Sequence, residues 1–427
     1  MVDGIINYLT EHLFMDAAVA GLVVTLVTTG VKAYFRRPTK TSQGGVFLTK
    51  PELLTPPAQR PAYSDRMAYI LAEMSALAYF KFEGDEDGAL QQAIEKLRRL
   101  LGGDAGQLDE KIGELLVELQ DQLLFKPLDG SDVLTEILKR ADFELVDTIA
   151  IGSTQGFACK RVKEGEAPYL LISFRGTEKV LEDWLTDADA VPDPDILEEK
   201  GIKLHKGFWK VLHDKAEVKS KVKAEAEVLN VLEQVQAILD SDAAQENGQK
   251  LPCYFTGHSL GGALALLVTR ELAPDINGAC YTFGAPRVAD YQYFCNMKTP
   301  VYRVVNSSDI VPRVPPGAGM GLLLKLVQGA SWLTQFIPQA KKPLAELEKK
   351  VDQLNGYRHH GDQRYLTDVK NSDFGSVQLL SNPPAIDRIW WMWQHVRKSF
   401  NEPVKSHGMA IYRRKLLEIA VRRNPGA

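Results

Sequence analysis

The chain has 427 residues, 51 basic and 55 acidic side chains for a formal net charge of -4, and four cysteines. That length can bury a large core, and nothing in the near-balanced charge argues for nucleic-acid binding. Cys159, Cys253, Cys280 and Cys295 are too few for a disulfide framework and match no metal spacing, so neither a metal nor another cofactor is expected.

Residues 13–31 are apolar apart from Asp16 and several threonines, and Lys32, Arg36, Arg37 and Lys40 follow them. A secretory signal carries its positive charge ahead of the apolar run, so a cytoplasmic or membrane-associated protein is the expectation. The uncharged stretch from Ala17 is about 15 residues, short for a bilayer span. Two readings stand: a membrane anchor or surface-lying helix, and a helix packed on the domain or a partner. Residues 38–62 are rich in Pro, Thr and Gly and read as an extended connector. They divide an N-terminal part, 1–62, from a body, 63–427.

Residues 63–82 have apolar side chains at helical spacing, with Ser64 or Asp65 as the cap. Segments 89–101 and 108–125, separated by Gly102, Gly103 and Gly106, predict a helical hairpin inserted over 85–126. The pattern then changes to short strands at 145–151, 156–162 and 169–174. Arg175-Gly176-Thr177 breaks the third, and residues 180–185 suggest one or two helical turns. His205-Lys206-Gly207-Phe208 precedes what reads as a long charged helix, roughly 215–239.

Next comes C-Y-F-T-G-H-S-L-G-G-A-L-A-L-L at 253–267: a strand, a glycine-flanked serine, and an apolar helix. G-x-S-x-G in that setting is a nucleophile elbow, whose sharp turn needs tiny neighbours. A strand at 279–283, a turn at 284–287, a helix near 290–297 and a strand at 301–306 follow. Strands alternating with helices predict a three-layer α/β fold with a mostly parallel central sheet. Apolar residues 316–355 and helical residues 383–400 read as insertions, and an amphipathic helix at 408–421 closes the chain. There is no internal repeat, heptad array or low-complexity tract, and the sequence specifies no oligomeric state.

A serine hydroxyl is a weak nucleophile until a histidine, oriented by an acid, takes its proton. In elbow hydrolases these follow in the order Ser, acid, His. Ser259 is therefore the candidate nucleophile. Asp309, just past the strand at 301–306, is the candidate acid; Asp275 and Asp290 are better explained as an exposed turn and a helix cap. For the base, composition and periodicity do not choose between His407, in a loop before the last helix, and the loop-like pair His359 and His360. His395 falls mid-helix, and His258, inside the motif, points elsewhere as a packing or hydrogen-bonding residue.

Phe174-Arg175-Gly176-Thr177, His205 to Phe208, the elbow, Thr282 to Arg287 and Asn306 to Pro312 occur in the order seen in one family. The chain resembles the fungal-type class 3 lipases of the α/β-hydrolase superfamily. That resemblance implies an α/β-hydrolase fold with an N-terminal helical extension and helical insertions. It implies a carboxylic ester hydrolase acting on lipid esters, with a short-chain carboxylesterase or phospholipase A1 as alternatives. A non-catalytic lipid-binding protein is the alternative of another class. It assigns Ser259 and Asp309 the nucleophile and acid roles and favours His407 as base, with His360 or His359 second. The Asp309 to His407 interval is long for the family, because 316–355 and 383–400 look like additions. The oxyanion donors are expected at Leu260, after the nucleophile, and at Thr177. The segment after Thr177 corresponds to a lid, with Val180, Leu181, Trp184 and Leu185 as lid or acyl contacts. The implied partners are a lipid or ester substrate and a membrane or lipid–water interface.

Overall fold

The computed structural model describes residues 47–57, 61–79, 130–151, 154–176, 202–218, 222, 226–307, 309, 311–313, 356–370, 373–384, 387 and 406–425. The proposed segment 13–31, the hairpin 85–126, the insertion 316–355 and nearly all of 383–400 lie outside the described residues. Among the described residues no helix is long and apolar enough to cross a membrane.

Among the described residues eight strands form one sheet whose spatial order follows chain order. They are β1 (Phe143–Ile151), β2 (Thr154–Arg161), β3 (Leu170–Phe174), β4 (Cys253–His258), β5 (Gly278–Phe283), β6 (Val301–Asn306), β7 (Asp362–Leu366) and β8 (Leu379–Ser381). β3 to β7 run parallel, while β1, β2 and β8 attach antiparallel at the two edges. Every residue of β3, β4 and β5 is buried. Such strands are apolar on both faces because helices cover both.

Among the described residues six helices supply that cover: α1 (Asp65–Leu77), α2 (Gly130–Arg140), α3 (Lys206–His213), α4 (Val231–Asp240), α5 (Leu260–Leu272) and α6 (Met409–Arg423). One apolar cluster joins α1, α2 and α6 to the sheet, and a second joins α3, α4 and α5 to it. The result is the three-layer, mostly parallel α/β-hydrolase architecture. Ser64 caps α1, its hydroxyl accepting from Met67 N. The later part of the expected connector packs on the core instead of running free, with Leu48, Leu53 and Leu54 buried.

The expected helix over 215–239 is a correction. Ala216–Val218 pairs antiparallel with Glu227–Leu229, and α4 begins only at Val231. Asn230 and Glu233 form a reciprocal capping box that fixes the helix start there. Val218 and Leu229 turn into the core while Glu217 and Val228 face outward, a two-residue alternation that outweighs the helix-favouring lysines and glutamates. Likewise the helix expected near 290–297 is a single 3-10 turn, Gln292–Phe294, with Asp290 accepting from Tyr293 N.

Candidate active site

β4 ends at His258 and α5 starts at Leu260, leaving Ser259 alone to reverse the chain. It does so at φ 58 and ψ -124, a left-handed φ that costs a side-chain-bearing residue about 1–2 kcal/mol. The turn is held because Ser259 N donates to Phe283 O at 2.9 Å and Ser259 O accepts from Gly262 N and Ala263 N. Neighbouring backbone passes too close for side chains: a Cβ on Gly257 would lie 2.2 Å from the Gly261 backbone, and one on Gly261 would lie 2.1 Å from Phe174 O. Ser259 is buried, and its Oγ has no hydrogen-bond partner among the described residues.

Leu260 opens α5, so its amide has no acceptor within the helix. The turn after β3 lies against it, and a Cβ on Gly176 would sit 3.2 Å from Leu260 N and 3.1 Å from Gly261 N. Arg175 fastens that turn: its backbone N–H donates to Gln155 O at 2.7 Å, its guanidinium donates to Gln155 Oε1, and it lies over the Tyr79 ring. Thr177 and the proposed lid contacts Val180, Leu181, Trp184 and Leu185 lie outside the described residues.

Past the end of β6, Asp309 is fully buried, and both its carboxylate oxygens stand 2.9 Å from Nδ1 of His407, itself 1% exposed. Val311 N donates to Asp309 Oδ1 at 2.9 Å and Tyr412 Oη donates to Oδ2 at 2.6 Å. Burial first, and the Asp309 charge second, push the Tyr412 phenol well above its ordinary range, so it remains a donor. Gly284, at φ 61, backs the pair; a Cβ there would meet Asp309 Oδ2 at 2.7 Å and His407 Nδ1 at 3.1 Å.

His258 is a hydrogen-bonding residue here. Its Nε2 faces the His407 carbonyl at 2.7 Å, which only accepts, so Nε2 carries the proton and Nδ1 accepts from Tyr79 Oη at 2.8 Å. Burial, with the nearby His407 charge second, holds its pKa well below the usual histidine range.

The other histidines stand elsewhere. His359 Nε2 donates to Pro312 O at 2.6 Å, and His360 stacks on Phe294. His360 lies just before β7, whose first residue pairs with Tyr302 near the start of β6. Asp309 follows the other end, about 13 Å of strand away. His395 lies outside the described residues. Asp275 pairs with Lys298 at the surface, and Asp290 accepts from Tyr293 N and Lys203 N. The structure thus joins Asp309, past β6, to His407, while Ser259 follows β4 with β5 between the two strands; the His407 ring lies 4.5 Å, centre to centre, from that of His258, the residue before Ser259. Tyr79, which donates to His258, lies just beyond α1, and the motifs assign it no role in the site. Among the described residues no group of three His, Cys, Asp or Glu converges as metal ligands would.

Residues 171–318 match the family described as lipase (class 3). Lipase from Rhizomucor miehei is 34% identical over 163 residues, covering 35% of this chain and 38% of that protein. Phospholipase A1-Igamma3, chloroplastic, from Arabidopsis thaliana is 31% identical over 161 residues, covering 34% of this chain and 30% of that one. The chain therefore spans less than two fifths of the length of these curated relatives. Among solved structures, lipase from Rhizopus microsporus var. chinensis aligns with a TM-score of 0.34 at 24% identity, over 58% of this chain and 68% of that chain. The matched segment contains Thr177, Ser259, Leu260 and Asp309; His407 lies beyond it.

Proposed function

From the match of residues 171–318 to the class 3 lipase family, we propose that the chain is a serine hydrolase that cleaves carboxylic esters of lipids through an acyl-enzyme. The observation that carries this reading is the buried Asp309–His407 pair, whose imidazole lies 4.5 Å, centre to centre, from that of His258, the residue before a serine held at a left-handed φ on a strand-to-helix elbow. Asp309 accepts from Nδ1, which directs the basic Nε2 outward as the group that receives the Ser259 proton. Ser259 Oγ attacks the ester carbonyl, and the Leu260 amide, with Thr177 as second donor, holds the oxyanion. His407 then protonates the departing alcohol and activates the water that releases the acid. Val180, Leu181, Trp184 and Leu185 serve as lid or acyl contacts at a lipid–water interface, where each buried CH₂ is worth about 0.8 kcal/mol.

A fluorophosphonate probe tests the chemistry. Labelling of the parent is expected, with none in Ser259→Ala, and His407→Ala is expected to lose about 10⁴-fold or more in turnover. His407→Ala retaining near-normal turnover would reassign the base. The names of the relatives, a lipase and a phospholipase A1, set the substrate arms: p-nitrophenyl esters of short to long chains, a triacylglycerol and a phospholipid. A preference for short soluble esters over both lipids would make this a carboxylesterase.

A further inference from the structure

The buried face of α6 is aromatic and aliphatic, with Tyr412, Leu416, Ile419 and Ala420, except that Lys415 is also there, 2% exposed. Burying an ammonium costs several kcal/mol, and a methionine of similar length would fill the space without that cost. Burial pulls the Lys415 ammonium down to about 8, with the Asp368 charge opposing. Its contacts account for its presence. Nζ donates to Thr367 O and to Asn306 Oδ1, each at 2.6 Å.

Asn306, the last residue of β6, is where several lines meet. Its Oδ1 also accepts from Ser307 N at 3.1 Å, its backbone N–H donates to Tyr412 Oη at 2.9 Å, and its Nδ2 donates to Ser406 O at 2.7 Å. An ammonium has donors and no acceptor. Together with the Ser307 N–H it therefore fixes which way the Asn306 amide faces: oxygen to these two donors, nitrogen to the Ser406 carbonyl. Ser406 immediately precedes His407, whose own carbonyl accepts from His258. The chain around the imidazole is gripped at two successive carbonyls, and Lys415 reinforces one grip.

We propose that Lys415 is a positioning residue: by locking the Asn306 amide it holds the Ser406 carbonyl, and through it the His407 imidazole, in register with Asp309 and Ser259. This rests on the reading of His407 as the base. A displacement of the order of 1 Å at a reacting group costs about 10²-fold, so loss of a single grip is expected to be visible in turnover.

Two variants separate positioning from support of the fold. Lys415→Met removes the buried charge and retains the volume. Asn306→Asp retains an oxygen for Lys415 and removes the Nδ2 donor to Ser406. Each is expected to lower kcat on p-nitrophenyl butyrate about tenfold or more with KM within about twofold, and to slow fluorophosphonate labelling of Ser259 in proportion. The low-field proton resonance of the His407–Asp309 hydrogen bond is expected to broaden or move in both. Should Lys415→Met fail to fold, Asn306→Asp carries the test alone. Folded variants with parental kcat and an unchanged resonance overturn the positioning role. A parent that takes no label sinks the hydrolase reading instead, and the resonance then decides the positioning: unchanged in the variants, it overturns that as well.

Discussion

Gly261 shows how a site is built from what a residue lacks. A Cβ there would lie 2.1 Å from Phe174 O and 2.8 Å from Phe174 C, both backbone atoms that cannot swing aside. Gly248 is the natural contrast: its φ is +76, yet a Cβ placed on it would meet nothing within 4 Å. Gly248→Ala should therefore cost only the left-handed backbone term, about 1 kcal/mol. Gly261→Ala has to push β3 away from the elbow and should cost about 3 kcal/mol or more, with loss of fluorophosphonate labelling. Urea unfolding of the two variants side by side checks this, and equal losses would refute the close-approach account. These constraints were legible locally, since G-x-S-x-G with its flanks names the serine and its glycines. The base was not. His407, His359 and His360 all sit in polar loop sequence, so composition and periodicity do not separate them; the family resemblance favours His407, and it is His407 that meets Asp309 in the fold.

Among the elements, α3 depends on an uncommon cap. His205 Nδ1 accepts from Gly207 N at 3.2 Å, and burial lowers the His205 pKa to about 4. Protonation would convert the accepting nitrogen into a donor and remove the cap. The unfolded-state pKa is about 6.5 and the folded value is lower, so the unfolded chain binds more protons between them. His205 thus contributes stability that is complete above pH 6.5 and is lost as pH falls through 4, amounting to at most about 3 kcal/mol. His205→Asn keeps a capping acceptor without a titrating group. Its unfolding free energy should fall less between pH 7 and pH 4 than the parent's, by up to that amount; parallel falls would show that the cap is not the sensitive group. The central parallel strands were readable from their apolar runs, because burial on both faces leaves little room for ambiguity. The region before α4 was not, since its lysines and glutamates suit a helix and a solvent-facing hairpin alike until the Asn230 capping box sets the boundary. The last two strands, β7 and β8, and the helix α2 went unread for a similar reason: each is short or strongly polar, and each is ordered by what it packs against.

At the scale of the whole molecule, the site is closed from behind by helices from opposite ends of the described chain. α1 reaches β4 through a hydrogen bond between Ser75 and Thr256, and the Tyr79 hydroxyl just beyond α1 bonds to His258. α6 supplies Tyr412 to Asp309. The two helices are joined by a bidentate pair, Arg413 Nε and a terminal nitrogen donating to the Glu73 carboxylate at 2.9 and 2.8 Å. Glu73 is 4% exposed and also accepts from Leu48 N, while the Arg413 guanidinium covers the Phe47 ring. No local pattern joins residues 340 positions apart; amphipathicity says which face of each helix is apolar and leaves the partner unstated. Breaking a buried pair on one side leaves the other charge uncompensated, at a cost of about 3–5 kcal/mol. Glu73→Gln should therefore lose about that much stability, and kcat with it, because the arginine it strands is the immediate neighbour of Tyr412. Replacing both partners, Glu73→Leu with Arg413→Met, should recover most of the loss, short of about 1–3 kcal/mol for the Leu48 amide left without its acceptor. Asp275→Asn, which breaks the exposed Lys298 pair, should leave the unfolding midpoint and kcat where they were. Urea unfolding and p-nitrophenyl ester turnover on the four chains decide the matter. If Glu73→Gln behaves like Asp275→Asn, the two helices are held by apolar packing alone, and the ion pair has no part in keeping Tyr412 against Asp309.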